Sequence, residues 1–285
     1  MLASQIEKIL SEKIEIKRTN YKDFEISGPS TIDNLKQNTF IFAKQIEKKS
    51  SFPKNILVLV DNAELCDKNV SFIEVENCRY AFSILLNEFN KPKIDYGICE
   101  TSIINKEAKI SEECSIGSFV KISKGCEVGK NTVIESHTFL DKNVKIGENV
   151  YIKSGARLGG QGFGFERDHN NNPQRIWHSG GLIISDNVEI GTNSIICGGT
   201  VNPTQVMENC KIDDNVFIAH NCIIGERTMI AGCADLGGSV IVGSDVWIGP
   251  NVTIINKVSI GDKADIVLGT SVFRDVPAGK VYMRK

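Results

Sequence analysis

Three features of the 285-residue chain predict a mainly β protein: a small N-terminal α/β domain followed by a long C-terminal parallel β-helix. From residue 104 onward an aliphatic residue recurs every six positions. Four residues after each stands a small or β-branched residue. Residues 1 to about 98 lack this period and alternate strand-like and helix-like patterns.

The aliphatic series runs from Ile104 through Ile110, Ile116 and Ile122 to Leu158, resumes at Ile184, Ile190 and Ile196, and continues from Val206 through Ile212 and Ile218 to Val272. The second slot holds Ala108, Cys114, Val120, Cys126 and Thr132 in the first hexads. Each hexad supplies one short strand and a turn, and three hexads close a triangular coil with both slots pointing inward. Glycine often follows the aliphatic residue, as at Gly117, Gly129, Gly147, Gly225 and Gly243, and is expected to ease the corner. About eight coils, stacked at roughly 4.8 Å, make a prism about 40 Å long. No hexad is stable alone; stacking supplies the core.

Two segments break the period. Residues 159–183 form a long excursion, and residues 202–205 shift the register by four. A regular solenoid needs neither, and long loops on repeat proteins commonly cover a site or reach a neighbour. The excursion carries Phe163, Phe165, Trp177 and two histidines, His169 and His178, which favours function. In the first domain, helical spacing fits Ser4–Ser11 and Cys78–Asn90, and strands fit Asn38–Phe42, Ile56–Val60 and Phe72–Val75. A short linker through Pro92 and Lys93–Tyr96 leads into the first coil, so the domains are expected at 1–98 and 99–285.

Composition narrows the function classes. With 41% hydrophobic residues the chain can bury a core, and a net charge of −2 offers no positive excess for nucleic acid or an anionic membrane. The start, MLASQIEKIL, does not read as a signal peptide, and the apolar stretch Ile56–Val60 is far too short to span a bilayer. The expectation is a cytoplasmic protein without membrane insertion. Four of the nine cysteines, Cys114, Cys126, Cys210 and Cys222, occupy the small inward slot and read as buried hydrophobes in a reducing compartment. No CxxC pair suggests structural zinc.

The Thr39-Phe40-Ile41-Phe42 and Tyr80-Ala81-Phe82 segments, Gly162-Phe163-Gly164-Phe165, Trp177, Ile218-Ala219-His220-Asn221 and Gly237-Gly238-Ser239 together resemble one family. It is the UDP-3-O-acylglucosamine N-acyltransferases of lipid A synthesis, with their relatives acting on other amino sugars. The resemblance implies a left-handed coil, an N-terminal nucleotide-binding domain and a homotrimer with sites between subunits. It also implies a nucleotide-sugar acceptor and a thioester co-substrate, acyl-CoA or acyl carrier protein, with no bound cofactor.

His220 stands two residues after Ile218, so it should face outward near a corner. The resemblance makes it the general base: a sugar ammonium must lose its proton to attack a thioester, and imidazole titrates near neutrality. It makes the Gly238 N–H the donor to the oxyanion. Phe40 matches a residue beside the nucleotide base, and Gln161, Phe163, Phe165 and Trp177 match the sugar or acyl pocket. Asn221 is a candidate to orient the imidazole or bind substrate. A zinc enzyme of the same fold, the γ-class carbonic anhydrase, needs three converging histidines. His137, His169, His178 and His220 lack that spacing, so no metal is expected.

The family pattern is departed from at several places. Lys257 stands where the family has a second histidine, and is a candidate partner for a phosphate of coenzyme A or of the nucleotide. Ala43 and Ile46 replace an Asn and a Tyr at the uridine, Gly198–Pro203 replaces an acidic loop, and the chain reaches Lys285 without a helical carrier-protein tail. These differences favour acyl-CoA as donor and a nucleotide-linked amino deoxysugar for surface glycans as acceptor. The lipid A reaction itself and a non-catalytic nucleotide-sugar-binding scaffold are the alternatives.

Overall fold

The structure, a computed structural model, describes residues 1–44, 53–66, 70–91 and 94–283. Ile46, Pro92, Lys93 and Lys285 therefore lie outside the described residues. The chain divides into two compact units, 1–93 and 94–285. Gly97–Ile98, placed by sequence in the first domain, pairs in parallel with Ser115–Ile116 of the solenoid.

The first unit is a five-stranded sheet with two helices. Strands β1 (Ile16–Asn20), β2 (Gly28–Pro29), β3 (Thr39–Ala43), β4 (Ile56–Val60) and β5 (Ser71–Val75) lie in the order β1-β5-β4-β3-β2. Only β1 is antiparallel to its neighbour. Central β4 (ILVLV) is buried throughout, as a strand covered on both faces requires. Helix α1 (Ala3–Ser11) and helix α2 (Cys78–Asn90) share one core with Phe40, Leu57, Leu59 and Ile73. Ile41, Val58 and Val60 form a second core on the opposite face. Helix α2 begins where Asn77 accepts a hydrogen bond from the Tyr80 N–H, 3.0 Å. Strands β1 and β2 escaped the sequence reading because IKRTN is exposed nearly throughout and GP has no strand propensity.

The second unit is a left-handed parallel β-helix. Its described strands form three faces of nine, eight and ten short strands, each paired to the strand one coil away. Phe217–Ile218, for example, pairs with Ile195–Ile196 on one side and Asp235–Leu236 on the other. The aliphatic series and the small slot make one continuous buried column.

Two details of the corner differ from expectation. Left-handed backbone occurs not at the glycine directly after the aliphatic residue but three residues after the aliphatic residue, with φ 62 at Asn221, φ 64 at Lys257 and φ 74 at Gly125. Asn131, Asn143, Asn149, Asn187, Asn193 and Asn209 fill the same station, because Asn tolerates that conformation best after glycine. The glycine just after the aliphatic residue serves close approach instead. A Cβ on Gly225 would lie 2.5 Å from the Gly243 carbonyl oxygen, and on Gly129 2.5 Å from that of Gly147.

The small slot is also more than a hydrophobe. The Cys114 and Cys210 thiols each donate to a carbonyl of the next coil at 3.0 Å, and Cys222 donates to the Gly237 carbonyl at 3.2 Å. The Thr132 and Thr228 hydroxyls make the equivalent bond at 2.9 and 2.8 Å. A buried carbonyl must find a donor, and Cys, Thr or Ser supplies it without enlarging the slot. Burial pushes the Cys210 and Cys222 thiols up to about 11, so they stay protonated and unreactive.

Candidate active site

Both breaks in the repeat come together at one corner. The Gly198 N–H donates to the Gly160 carbonyl at 2.8 Å, the Ser179 N–H to Thr200 at 2.9 Å, and the Gly180 N–H to Gly199 at 2.9 Å. Glycine is required for this packing: a Cβ on Gly199 would sit 1.8 Å, and on Gly180 2.4 Å, from the Asn202 carbonyl oxygen. Thus the excursion and the 197–205 detour are laced into one wall, and His220 stands against it.

His220 follows the strand Phe217–Ile218, with Ala219 at the turn and Asn221 in the left-handed corner. It is half-buried rather than freely outward-facing, because the excursion folds over it. A Cβ on Gly162 would lie 3.0 Å from its Cδ2, and one on Gly238 would lie 2.8 Å from both Cε1 and Nε2. Its Nδ1 is buried and unpartnered, whereas Nε2 is the nitrogen left open.

Gly238 occupies the equivalent position one coil further on. Gly237 and Ser239 both donate their N–H, to Ile254 and His220 at 2.8 Å each, while among the described residues the Gly238 N–H has no acceptor. At other corners an aspartate takes the corresponding N–H: Asp262 for Ser244 at 2.8 Å, Asp186 for Glu148 at 2.7 Å, Asp214 for Thr192 at 2.7 Å. At this corner the equivalent residue one coil on is Asn256, and among the described residues its side chain takes no hydrogen bond from the Gly238 N–H. One solvent-facing imidazole nitrogen and one free amide donor thus lie side by side.

His178, carried by the excursion, meets His220 edge-on with ring centroids 5.0 Å apart. Its main chain is clamped by Gln161, whose Nε2 donates to the His178 carbonyl and whose Oε1 accepts from its N–H, both at 2.8 Å. His178 is only 8% exposed, and neither ring nitrogen has a hydrogen-bond partner. An unsatisfied buried polar atom typically costs about 1–3 kcal/mol. Burial holds its pKa below the ordinary histidine value and His220 pushes the same way; the nearby Ile176 carbonyl opposes, and Arg175 adds a smaller push downward. Folded His178 therefore binds a proton less readily than unfolded His178. Stability should rise with pH and be lost as pH falls below the unfolded value of about 6.5. Urea melts from pH 5 to 8 should show that slope, and His178→Phe should flatten it.

The remaining candidates divide. Gln161, Trp177 and His178 line a cavity of about 400 Å³ with Asp141, Lys142 and Asn143; His220 does not line it but is reached through His178. Phe163 is 86% and Trp177 72% exposed, and Arg175 lies over the rings of Phe165 and Trp177 at 4.7 and 5.2 Å. The Asn221 carboxamide does not touch the imidazole. It accepts from the Thr200 N–H at 2.8 Å and donates to the Thr200 hydroxyl at 2.9 Å, tethering the detour. Lys257 is exposed, and its N–H donates to the Gly238 carbonyl at 2.9 Å, so it stands one coil beyond the site. His137 stacks on Phe119, and His169 lies beside Asn170, so neither approaches the His178–His220 pair.

In the first unit Phe40 is 0% exposed and packed between Phe82 and Phe89 at 5.3 and 5.2 Å under helix α2. Phe42, two residues along the same strand face, is half-buried against Phe82. It lines an apolar depression of about 400 Å³ with Ser30, Thr31, Ile32, Ala43 and Lys44.

Comparison with known proteins agrees with this architecture. The bacterial transferase hexapeptide (six repeats) family matches residues 203–237, which include His220. The UDP-3-O-acylglucosamine N-acyltransferase of Methylacidiphilum infernorum is 40% identical over 220 residues, covering 70% of this chain and 62% of that protein. Its counterpart from Pseudomonas syringae pv. tomato is 30% identical over 224 residues, again covering 70% and 62%. The chain thus spans 62% of the length of these two relatives. Among solved structures, the UDP-N-acetylglucosamine acyltransferase of Francisella novicida superposes with a TM-score of 0.59 at 28% identity, covering 64% of each chain.

Proposed function

We propose that this chain, a hexapeptide-repeat protein similar to the UDP-3-O-acylglucosamine N-acyltransferases, moves an acyl group from a thioester to the amine of a nucleotide-linked amino sugar. The observation that carries the reading is the open Nε2 of His220 beside the unused Gly238 N–H. In this scheme the sugar amine attacks the thioester carbonyl while His220 Nε2 takes its proton. The new C–N bond forms, and negative charge gathers on the carbonyl oxygen at the Gly238 N–H. The intermediate then collapses with loss of the C–S bond, and His220 returns the proton to the leaving sulfur.

The finer assignment is an acyl-CoA donor and a nucleotide-linked amino deoxysugar, made in the cytosol for a surface glycan by a homotrimer. It is supported by Ala43, which stands beside Phe42 in the apolar depression where the family pattern has an Asn, and by Lys257 one coil beyond the site. The relatives' names favour a second reading, UDP-3-O-acylglucosamine as acceptor with acyl carrier protein as donor. A matrix of short-chain acyl-CoA or long-chain acyl carrier protein against dTDP-amino sugars or UDP-acylglucosamine separates them. Turnover confined to the carrier protein and UDP-acylglucosamine establishes the second reading, and nucleotide binding without turnover in any pairing establishes the scaffold. Lys257→Ala should raise the KM of whichever substrate it contacts and leave kcat within about twofold, since an exposed lysine acts as a point charge.

A further inference from the structure

The site holds three buried imidazole nitrogens without partners: Nδ1 of His220 and both nitrogens of His178. Buried polar atoms are nearly always paired, so three orphans in two touching rings need an explanation. If Nε2 of His220 is to receive a proton, its other nitrogen must carry the ring hydrogen, and that N–H needs an acceptor. Among the described residues no carboxylate supplies one, and Asn221 is engaged by Thr200.

We propose that His178 is the positioning residue of His220: its neutral imidazole accepts the Nδ1–H of His220 in the working site and so keeps Nε2 free as the base. The inference rests on the assignment of His220 as base. The two rings already meet edge to face at 5.0 Å, and the space a Cβ on Gly162 would take lies 3.1 Å from His178 Nε2 and 3.0 Å from His220 Cδ2. Turning the His220 ring over about its Cβ–Cγ bond puts Nδ1 in the place of Cδ2, facing His178, and satisfies two of the three orphans. Hydrogen bonds of this kind are commonly long before substrate binds and tighten afterwards. The surroundings keep His178 an acceptor. Burial disfavours its cation, and the charged or titratable groups facing it, Arg175 of the excursion and His220 of the coil, both oppose a second positive charge. The framework is rigid where it must be: the Gln161 clamp fixes the His178 main chain, and Gly162 and Gly164 admit the rings where any Cβ would press on them.

His178→Phe keeps the packing and removes the acceptor, while His178→Gln restores an acceptor. The expected result is a kcat about 10–100-fold lower in His178→Phe, with both KM values unchanged, recovery of most of that loss in His178→Gln, and an altered acid side of the kcat/KM profile. Nitrogen-15 NMR of the substrate-free protein reads the same bond without turnover. His220 should be the Nδ1–H tautomer in the wild type and in His178→Gln, and a tautomer mixture in His178→Phe. An unchanged His220 tautomer in His178→Phe, or equal losses in Phe and Gln variants with lowered melting temperatures, overturns the proposal. Activity surviving in His220→Ala would instead remove the base assignment, and the two failures are distinct.

Discussion

His220→Ala is expected to lower kcat by roughly 10²–10⁴-fold, the usual worth of a positioned general base, with little change in either KM. The expectation follows from where the side chain is. Ile218 and Cys222 hold the inward slots on either side, and the His220 ring lies on the outer wall beneath the excursion, so removing it opens no core cavity. The corner beneath it is fixed by the main chain, through the Ser239 N–H to the His220 carbonyl at 2.8 Å, which alanine retains. Melting temperature should therefore stay close to wild type while turnover collapses. Steady-state kinetics with a purified donor and acceptor, beside a thermal melt, measure both. Full turnover in the alanine variant would remove the chemical role of residue 220 and leave a binding scaffold.

How far the sequence exposes this site depends on the range of the signal. The solenoid is legible because its constraint is local and repeated: each coil needs the same inward pair, so a period of six survives in the sequence. The outward corner station of His220 is legible from that period, whereas the roles of His220 and Gly238 are what the resemblance to the acyltransferases implies. Their partners are not legible. Gln161 and His178 are 17 residues apart, and no pattern links them. Sequence marks His178 as one of two histidines in an excursion that favours function, whereas only the fold shows that it is pressed onto His220. The role of Asn at the left-handed station was open to reading, since Asn131, Asn143 and Asn149 recur with the period, but glycine drew attention to the wrong residue of the corner. Phe40 and Phe42 share one strand face, and only the position of helix α2 decides that the first is covered while the second reaches the depression.

Gly238→Ala should be nearly as damaging as loss of the imidazole. Its backbone is not in the left-handed region, so alanine fits the chain without strain. The new methyl, however, would stand 2.8 Å from Cε1 and Nε2 of His220, well inside van der Waals contact. The ring must shift or turn to make room, with His178 packed against it at 5.0 Å, and either movement takes Nε2 out of its place. The methyl also occupies the approach to the Gly238 N–H, which among the described residues has no acceptor. A fall in kcat of about 10²–10³-fold is expected, the range seen when an oxyanion donor is lost. Gly160→Ala is the control, since a Cβ there meets nothing within 4 Å and the φ is ordinary. Two groups serving one transition state do not contribute additively. The double variant His220→Ala/Gly238→Ala should consequently be little slower than His220→Ala alone. Independent, multiplying losses would mean that the Gly238 corner serves some purpose other than the proton transfer at His220.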